Sequence, residues 1–150
     1  MSENPSFQPY DNFLAQLALG KNSAISMQND IICIGLTNTT PNRVTHTKRG
    51  DLVDIGAGNG YPGPTALTIT SRSISGNKWL LVGNDIIWEP TGAGFGPFRH
   101  IYVFSQSSNT TASEQLLMGY WSFAASQTVT VPYPFKIDFS LINGALGLSI

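Results

Sequence analysis

A succession of short apolar runs, rich in β-branched and aromatic residues, extends from residue 31 to residue 150 and limits the folds that this chain can adopt. In residues 65–71, for example, leucine and isoleucine alternate with threonine. Successive side chains of a β-strand point to opposite faces, so a period of two is typical of a strand. The runs predict eight or nine strands, at residues 31–37, 65–71, 78–82, 85–88, 99–105, 116–123, 127–131, 135–139 and 145–150.

Residues 10–21 have helical spacing instead. Asp11 or Asn12 could accept hydrogen bonds from the first turn of a helix, and Gly20 could end it. Such a helix either packs on its own domain or serves as an arm that docks on a neighbouring subunit. The apolar stripe at helical spacing comprises Phe13, Leu14, Leu17 and Ala18.

One short helix followed by evenly spaced strands predicts a mainly β fold, an antiparallel β-sandwich of jelly-roll type with one N-terminal helix. We expect residues 1–21 to form an N-terminal arm and helix, and residues 22–150 to form a single sandwich domain, since 150 residues suit one domain. The long, polar, glycine-rich stretch at residues 37–64 is either an ordered excursion or a flexible arm. Long loops often carry interaction surfaces.

Charge is scarce in this chain. Charged residues make up 11% of the sequence, with eight Lys and Arg against nine Asp and Glu, where an ordinary domain has about 25%. A duplex-binding domain normally has a basic surplus, and membrane-surface binding needs a basic cluster larger than Lys48-Arg49. We therefore expect neither a nucleic-acid nor a membrane partner, and we expect no signal peptide or transmembrane helix.

A glycine-rich stretch at residues 51–60, Asp-Leu-Val-Asp-Ile-Gly-Ala-Gly-Asn-Gly, is similar to the first motif of Rossmann-type methyltransferases. Residues 58–63 also fit G-x-G-x-x-G, a pattern that binds a cofactor only where a strand precedes it and a helix begins after it. Pro62 and Pro64 stand where that helix should begin, and a strand pattern follows. We interpret the stretch as a loop or turn that holds no cofactor.

Other reactive groups are few. Cys33 lies in an apolar run, which predicts a small buried side chain. His46 and His100 have no further ligands at metal spacing, so no metal site is expected, and His100 is predicted to be a partly buried edge residue. Asp85 and Glu89 flank a tryptophan, but we interpret them as the polar ends of a strand rather than a glycosidase pair. The sequence therefore predicts no catalytic residues.

The aromatic residues are predicted to pack in the core. Leu117, Trp121 and Phe123 fall on one face of a period-two run and are expected to point inward together. Trp79 and Trp88 also lie in strand patterns. A carbohydrate-binding surface needs exposed rings, so burial of the three tryptophans would count against such a function.

The order of several short segments resembles a group of small virion structural proteins of tailed bacteriophages. The resemblance implies a β-sandwich component of the particle, often a head decoration or cement protein, without catalytic residues or cofactors. The segments that carry the resemblance are residues 10–20, 30–37, 58–68, 84–88, 98–104, 116–123 and 135–150.

The resemblance also implies partners and a location. These are the major capsid protein or other virion subunits, and the virion, assembled in the host cytoplasm. Low charge with normal apolar content agrees with a subunit packed in an array. We expect a closed homotrimer; the alternatives are a tail, neck, baseplate or fibre component, or a carbohydrate-binding host-attachment module. The candidate partner-contact residues are Phe13, Leu14, Leu17 and Tyr61.

Overall fold

The computed structural model describes residues 7–26, 29–75, 78–137 and 146–149. In this part of the chain the fold is mainly β, with antiparallel sheets and one α-helix, α1, at Asp11–Ala18. The coarse prediction of fold class is therefore confirmed, whereas the jelly-roll sandwich stays a prediction. The strands are β1 (Gln8–Pro9), β2 (Ile32–Thr37), β3 (Thr65–Ala66), β4 (Ile69–Ser75), β5 (Lys78–Gly83), β6 (Ile86–Trp88), β7 (Phe95–Ser105), β8 (Leu117–Val129), β9 (Phe135–Ile137) and β10 (Leu146–Ser149).

The largest sheet has five strands in the order β1-β8-β7-β2-β3. Tyr102 of β7 lies opposite Gly35 of β2 and Tyr120 of β8, so β7 is an interior strand. Its side chains Ile101 and Tyr102, which point to opposite faces, are both buried. The two remaining sheets have the orders β10-β5-β4 and β6-β9.

The predicted strand at residues 65–71 is divided in two. Its first part, β3, pairs with β2, and its second part, β4, pairs with β5. The chain turns away between them, where the amide of Leu67 donates to the Ile32 carbonyl and the Thr68 carbonyl accepts from Asn84. The local alternation correctly predicts strands. The passage of the chain from one sheet to the other depends on strand partners far away in sequence.

The two strands predicted at residues 116–123 and 127–131 are one continuous strand, β8. Its register with β7 shifts at one point: His100 lies opposite Ser122, whereas Phe98, two residues earlier, lies opposite Gln127. Across this shift Arg99 donates from Nε to the Phe123 carbonyl at 3.0 Å and from Nη2 to the Ala124 carbonyl at 2.9 Å. The guanidinium therefore bonds to carbonyls of the bulged segment.

A second irregularity lies near the start of β8. Val103 lies opposite Gly119, but the next residue of β7 lies opposite Leu117, so β8 has one extra residue there. Leu117 and Phe123 are buried as predicted, whereas Trp121 is only half-buried. Trp121 nevertheless packs against the core, and its ring lies against Phe7, with centroids 5.1 Å apart.

Helix α1 packs on its own domain. Tyr10, the residue that precedes it, donates its amide to the Met118 carbonyl of β8, and Phe13 is fully buried. The predicted caps are wrong, because Tyr10 occupies the N-cap position without a side-chain cap. The Asp11 carboxylate instead pairs with Arg43 at 3.4 Å. Gly20, at φ +58°, begins a short 3₁₀ turn just after α1.

Residues 37–64 form an ordered excursion along the large sheet. Thr37 and Asp54 form an antiparallel bridge, and so do Lys48 and Leu116. Between these bridges, Arg49 donates its amide to the Gln115 carbonyl at 2.8 Å. The flexible-arm alternative does not describe this fold, because both halves of the loop bond to the chain's own strands or their flanks.

Candidate functional surface

The four candidate partner-contact residues divide into buried and exposed. Phe13 and Tyr61 lie in the core, 0% and 1% exposed, so neither offers an accessible surface. Leu17 is partly buried against the core, and Leu14 is 41% exposed. Leu14 is therefore the member of the set that most exposes its side chain to a partner.

Tyr61 belongs instead to a hydrogen-bond network around Asp54. The hydroxyls of Tyr61 and Tyr102 donate to Asp54 Oδ1 at 2.7 and 2.8 Å, and the amide of Gly56 donates to Oδ2 at 2.8 Å. The Leu36 amide in turn donates to the Tyr61 hydroxyl at 3.1 Å. Burial, followed by the hydrogen bond to Asp54, raises the pKa of Tyr61, and burial beside the same carboxylate raises the pKa of Tyr102. This network fastens the loop to the sheet.

An open cleft of about 220 Å³ lies beside this network. Arg49 lines it, but its guanidinium is already engaged: Nη1 donates to Gln115 Oε1 at 2.9 Å, and the group lies 4.2 Å from the centroid of the Phe104 ring. The neighbouring Asp51 caps its own turn by accepting from the amides of Thr47 and Lys48. The bond from the Thr47 amide is the main cause that lowers the pKa of Asp51. The charges beside the cleft thus hold the loop in place.

The glycine-rich stretch forms a tight turn. Gly58 and Tyr61 exchange two backbone hydrogen bonds, of 2.8 and 3.1 Å, and the next regular element is strand β3. Gly60, at φ +102°, lies directly against the Glu89 carbonyl, where a Cβ atom would collide. The glycines therefore serve a close approach between two backbone segments.

His100 and Cys33 are both buried. His100 lies in β7 between two other strands, so its prediction as an edge residue is wrong; its Nδ1 is 2.8 Å from Ser122 Oγ. Cys33 is 4% exposed, as predicted, and burial raises the pKa of its thiol to about 11. Within the described ranges, no three His, Cys, Asp or Glu side chains are grouped in a way that could hold a metal ion.

The basic side chains that the structure describes all contact groups of the same chain. Arg49 contacts Gln115 and Phe104, and Arg99 donates to two backbone carbonyls. The other three form ion pairs, Arg43–Asp11, Lys48–Glu114 and Lys136–Asp85, at 3.4, 3.0 and 3.2 Å. The surface of the described residues therefore offers little free positive charge.

Large apolar side chains are exposed at several places. Leu14 and Leu19 lie on or just after α1. Val44 follows Arg43, whose carbonyl accepts from the Asp11 amide at the start of the helix. Val131 and Tyr133 lie in the turn between β8 and β9. The exposed set comprises Leu14, Leu19, Ile31, Val44, Val53, Ile87, Val131 and Tyr133.

No local sequence pattern marks several of these features. Asp54 lies in the glycine-rich stretch, but nothing local marks it as the acceptor for two tyrosines. Tyr133 lies in a proline-flanked segment between predicted strands, and only its 73% exposure singles it out. The roles of Asp54 and Arg99 depend on residues brought together by the fold.

The sequence matched no family model and no curated protein, and the fold matched no solved structure. Among the described residues, no helix has the length and apolar character to cross a membrane. The case for a function therefore rests on the chain's own residues.

Proposed function

We propose that the protein is a non-enzymatic structural subunit of a bacteriophage virion, a decoration or cement protein that stabilises the head by binding across coat-subunit boundaries. The protein would act as a homotrimeric jelly-roll sandwich, assembled in the host cytoplasm. Its partner would be the major capsid protein.

The observation that carries this proposal is the state of the surface. The described basic side chains form ion pairs or hydrogen bonds within the chain, while large apolar side chains such as Leu14, Val44 and Tyr133 remain exposed. Such a neutral, partly apolar surface suits a protein that is covered by neighbours when it functions. The net charge of −1 also disfavours a nucleic-acid ligand, because a protein that binds nucleic acid normally has a basic surplus.

Binding across subunit boundaries stabilises a head by linkage, because the bound protein favours the assembled state. Many copies on one particle add avidity, so individual contacts need not be strong. A closed trimer would bury part of the apolar surface without leaving an open end for fibre growth.

A carbohydrate-binding module is disfavoured by the tryptophans that can be assessed. Trp88 is 4% exposed in the core, and Trp121 is half-buried against Phe7. The side chain of Trp79 lies outside the described residues. The tail, neck, baseplate or fibre alternative shares the same surface argument and differs in copy number, which is high for a head decorator and low for a tail-end part.

The proposal is tested by two measurements on the purified protein. Light scattering should give a trimer, and sedimentation with undecorated heads should show saturable binding that raises their resistance to heat. A monomer that ignores heads and instead co-purifies with tails would replace the head assignment with the tail alternative.

A further inference from the structure

The outer edge of the long strand β8 is only partly covered in the described chain. Strand β7 pairs along one side of β8. On the other side, the described strand that pairs with β8 is β1, at Gln8–Tyr120 and Pro9–Gly119. No described strand lies opposite Ser122 on this side. Because β8 contains no charged residue and no proline, which commonly protect a sheet edge, this edge could pair with a strand of another chain.

The chain that leads into β1 runs along this same edge. The ring of Phe7, the residue before β1, packs against Trp121 with centroids 5.1 Å apart. A Cβ atom on Gly119 would collide with the Phe7 ring, so this glycine leaves room for it. In the antiparallel register of β1, each step back along the chain advances one residue along β8. The next residue, Ser6, would therefore fall opposite Ser122.

The hydrogen bonds of β1 decide which residues of this segment can bond to β8. In an antiparallel ladder, successive residues alternate between bonding to the partner strand and facing away from it. The Tyr10 amide donates to the Met118 carbonyl at 3.1 Å, so Tyr10 bonds to β8. By this alternation Gln8 and Ser6 also bond to β8, whereas Pro9 faces away. Pro9 agrees with the assignment, because proline has no N–H to donate.

The sequence of residues 1–6, Met-Ser-Glu-Asn-Pro-Ser, fits the same alternation. Pro5 lies four positions before Pro9, so it also falls where the backbone nitrogen faces away from β8. A proline at such a position costs the ladder no hydrogen bond. It also stops a further strand from pairing on the outside, because it offers no donor there.

We propose that residues 1–6 form a strap that continues β1 along the outer edge of β8 and closes this edge to strands of other chains. The pairing of Ser6 with Ser122 would be its backbone anchor. The bulge of β8 follows Ser122, so residues 1–5 would lie alongside the bulge rather than in regular register. The strap goes beyond the virion role proposed above and does not depend on it.

The alternative occupant of this edge is the same segment of a second copy. The segment of the same chain is the better fit, because Phe7 already lies against β8 in its own subunit. Pairing within one chain also avoids the loss of translational and rotational freedom that pairing between two molecules costs.

The experiment measures amide hydrogen exchange of the full-length protein by NMR, at Ser122 and, as an internal reference, at Val103 in β7. Ser6→Pro removes the N–H that would donate to β8. Glu3→Pro is the matched control, because it introduces the same residue at a position that faces away. Ser6→Ala tests whether the serine hydroxyl, rather than the backbone, is responsible.

We expect the Ser122 amide to be protected in the wild type and to exchange about tenfold faster in Ser6→Pro, as for the loss of one backbone hydrogen bond. Glu3→Pro and Ser6→Ala should exchange like the wild type, and Val103 should be unchanged in all variants. Light scattering should show that Ser6→Pro forms larger assemblies than the wild type as its concentration rises, because the edge is open.

Three results would overturn the strap. The first is a Ser122 amide that exchanges freely in the wild type. The second is an equal effect of Ser6→Pro and Glu3→Pro, which would show that the alternation is wrong. The third is wild-type protection of Ser122 that is lost on dilution, in step with dissociation of the oligomer, which would assign the edge to a second copy.

Discussion

The hydroxyl of Tyr102, in the middle of the large sheet, donates to the carboxylate of Asp54, in the long loop, across 2.8 Å. The same oxygen of Asp54 accepts from Tyr61, on the far side of the glycine-rich turn. One acidic side chain thus connects an interior strand to two parts of the loop. Besides the two backbone bridges, these contacts tie residues 37–64 to the large sheet.

Replacing Asp54 should therefore destabilise the fold strongly. Asp54→Ala leaves the buried hydroxyls of Tyr61 and Tyr102 without their acceptor, and we expect a loss of about 2–4 kcal/mol in the free energy of unfolding. Urea denaturation measures it. The control Asp11→Ala breaks the exposed pair with Arg43 and should cost less than about 1 kcal/mol. Equal losses in the two variants would contradict a structural role for the network.

Two tyrosine-to-phenylalanine changes should differ in size. Tyr102→Phe removes a hydroxyl bonded to Asp54 and should cost about 1–2 kcal/mol. The hydroxyl of Tyr10 is also buried, but it meets no hydrogen-bond partner among the described residues. Tyr10→Phe should therefore be neutral or slightly stabilising, because it removes an unsatisfied polar group. Thermal unfolding of both variants tests the comparison, and a larger loss for Tyr10→Phe would contradict it.

Arg99 should be essential to the long strand β8. Its fork bonds the carbonyls of Phe123 and Ala124, and the single ammonium of a lysine cannot reproduce that geometry. We expect Arg99→Lys to cost about 1–3 kcal/mol. It should also speed amide hydrogen exchange around the bulge more than at Ile34 in β2. Unchanged amide hydrogen exchange near Phe123 would show that the bulge is stable without the two hydrogen bonds of the Arg99 guanidinium.

His100 should make stability depend on pH. Burial, and next the charge of Arg99, lower the pKa of His100. The unfolded chain takes up this proton near pH 6.5, about the ordinary value, while the folded chain takes it up only at lower pH. The unfolded state therefore holds more protons in between, and stability should fall as the pH drops below about 6.5.

The measurement is the urea midpoint between about pH 7 and about pH 5. His100→Gln should show a shallower fall than the wild type, because the variant lacks the group whose pKa is lowered on folding. Identical slopes for the wild type and His100→Gln would show that other groups cause the dependence.

Cys33 should resist thiol reagents in the folded protein. It is buried in β2, and burial raises the pKa of the thiol to about 11, so little reactive thiolate exists near neutral pH. Labelling with an aromatic disulfide reagent should be slow in buffer and rapid in denaturant. Rapid labelling of the folded protein would show that β2 opens locally.

The strands were largely predictable because their signal is local. Alternation of apolar and polar side chains can be read from consecutive residues. The described strands β2, β5, β6, β9 and β10 lie within a few residues of the predicted positions. The burial of Cys33 could also be predicted locally, because the residue lies in an apolar run. The end of α1 near Gly20 could be predicted because glycine tolerates a positive φ.

Relationships between distant residues arise only when the chain folds. The mainly β character and the single N-terminal helix could be predicted from local patterns, since apolar periodicity and turn residues act over a few positions. The division of residues 65–71 between two sheets, the burial of Tyr61 and the exposure of Tyr133 depend on which segments meet in space. The bonds from Tyr102 to Asp54 and from Arg99 to Phe123 join residues 48 and 24 positions apart. Such hydrogen bonds form only after the backbone brings donor and acceptor within about 3 Å, so no local pattern encodes them.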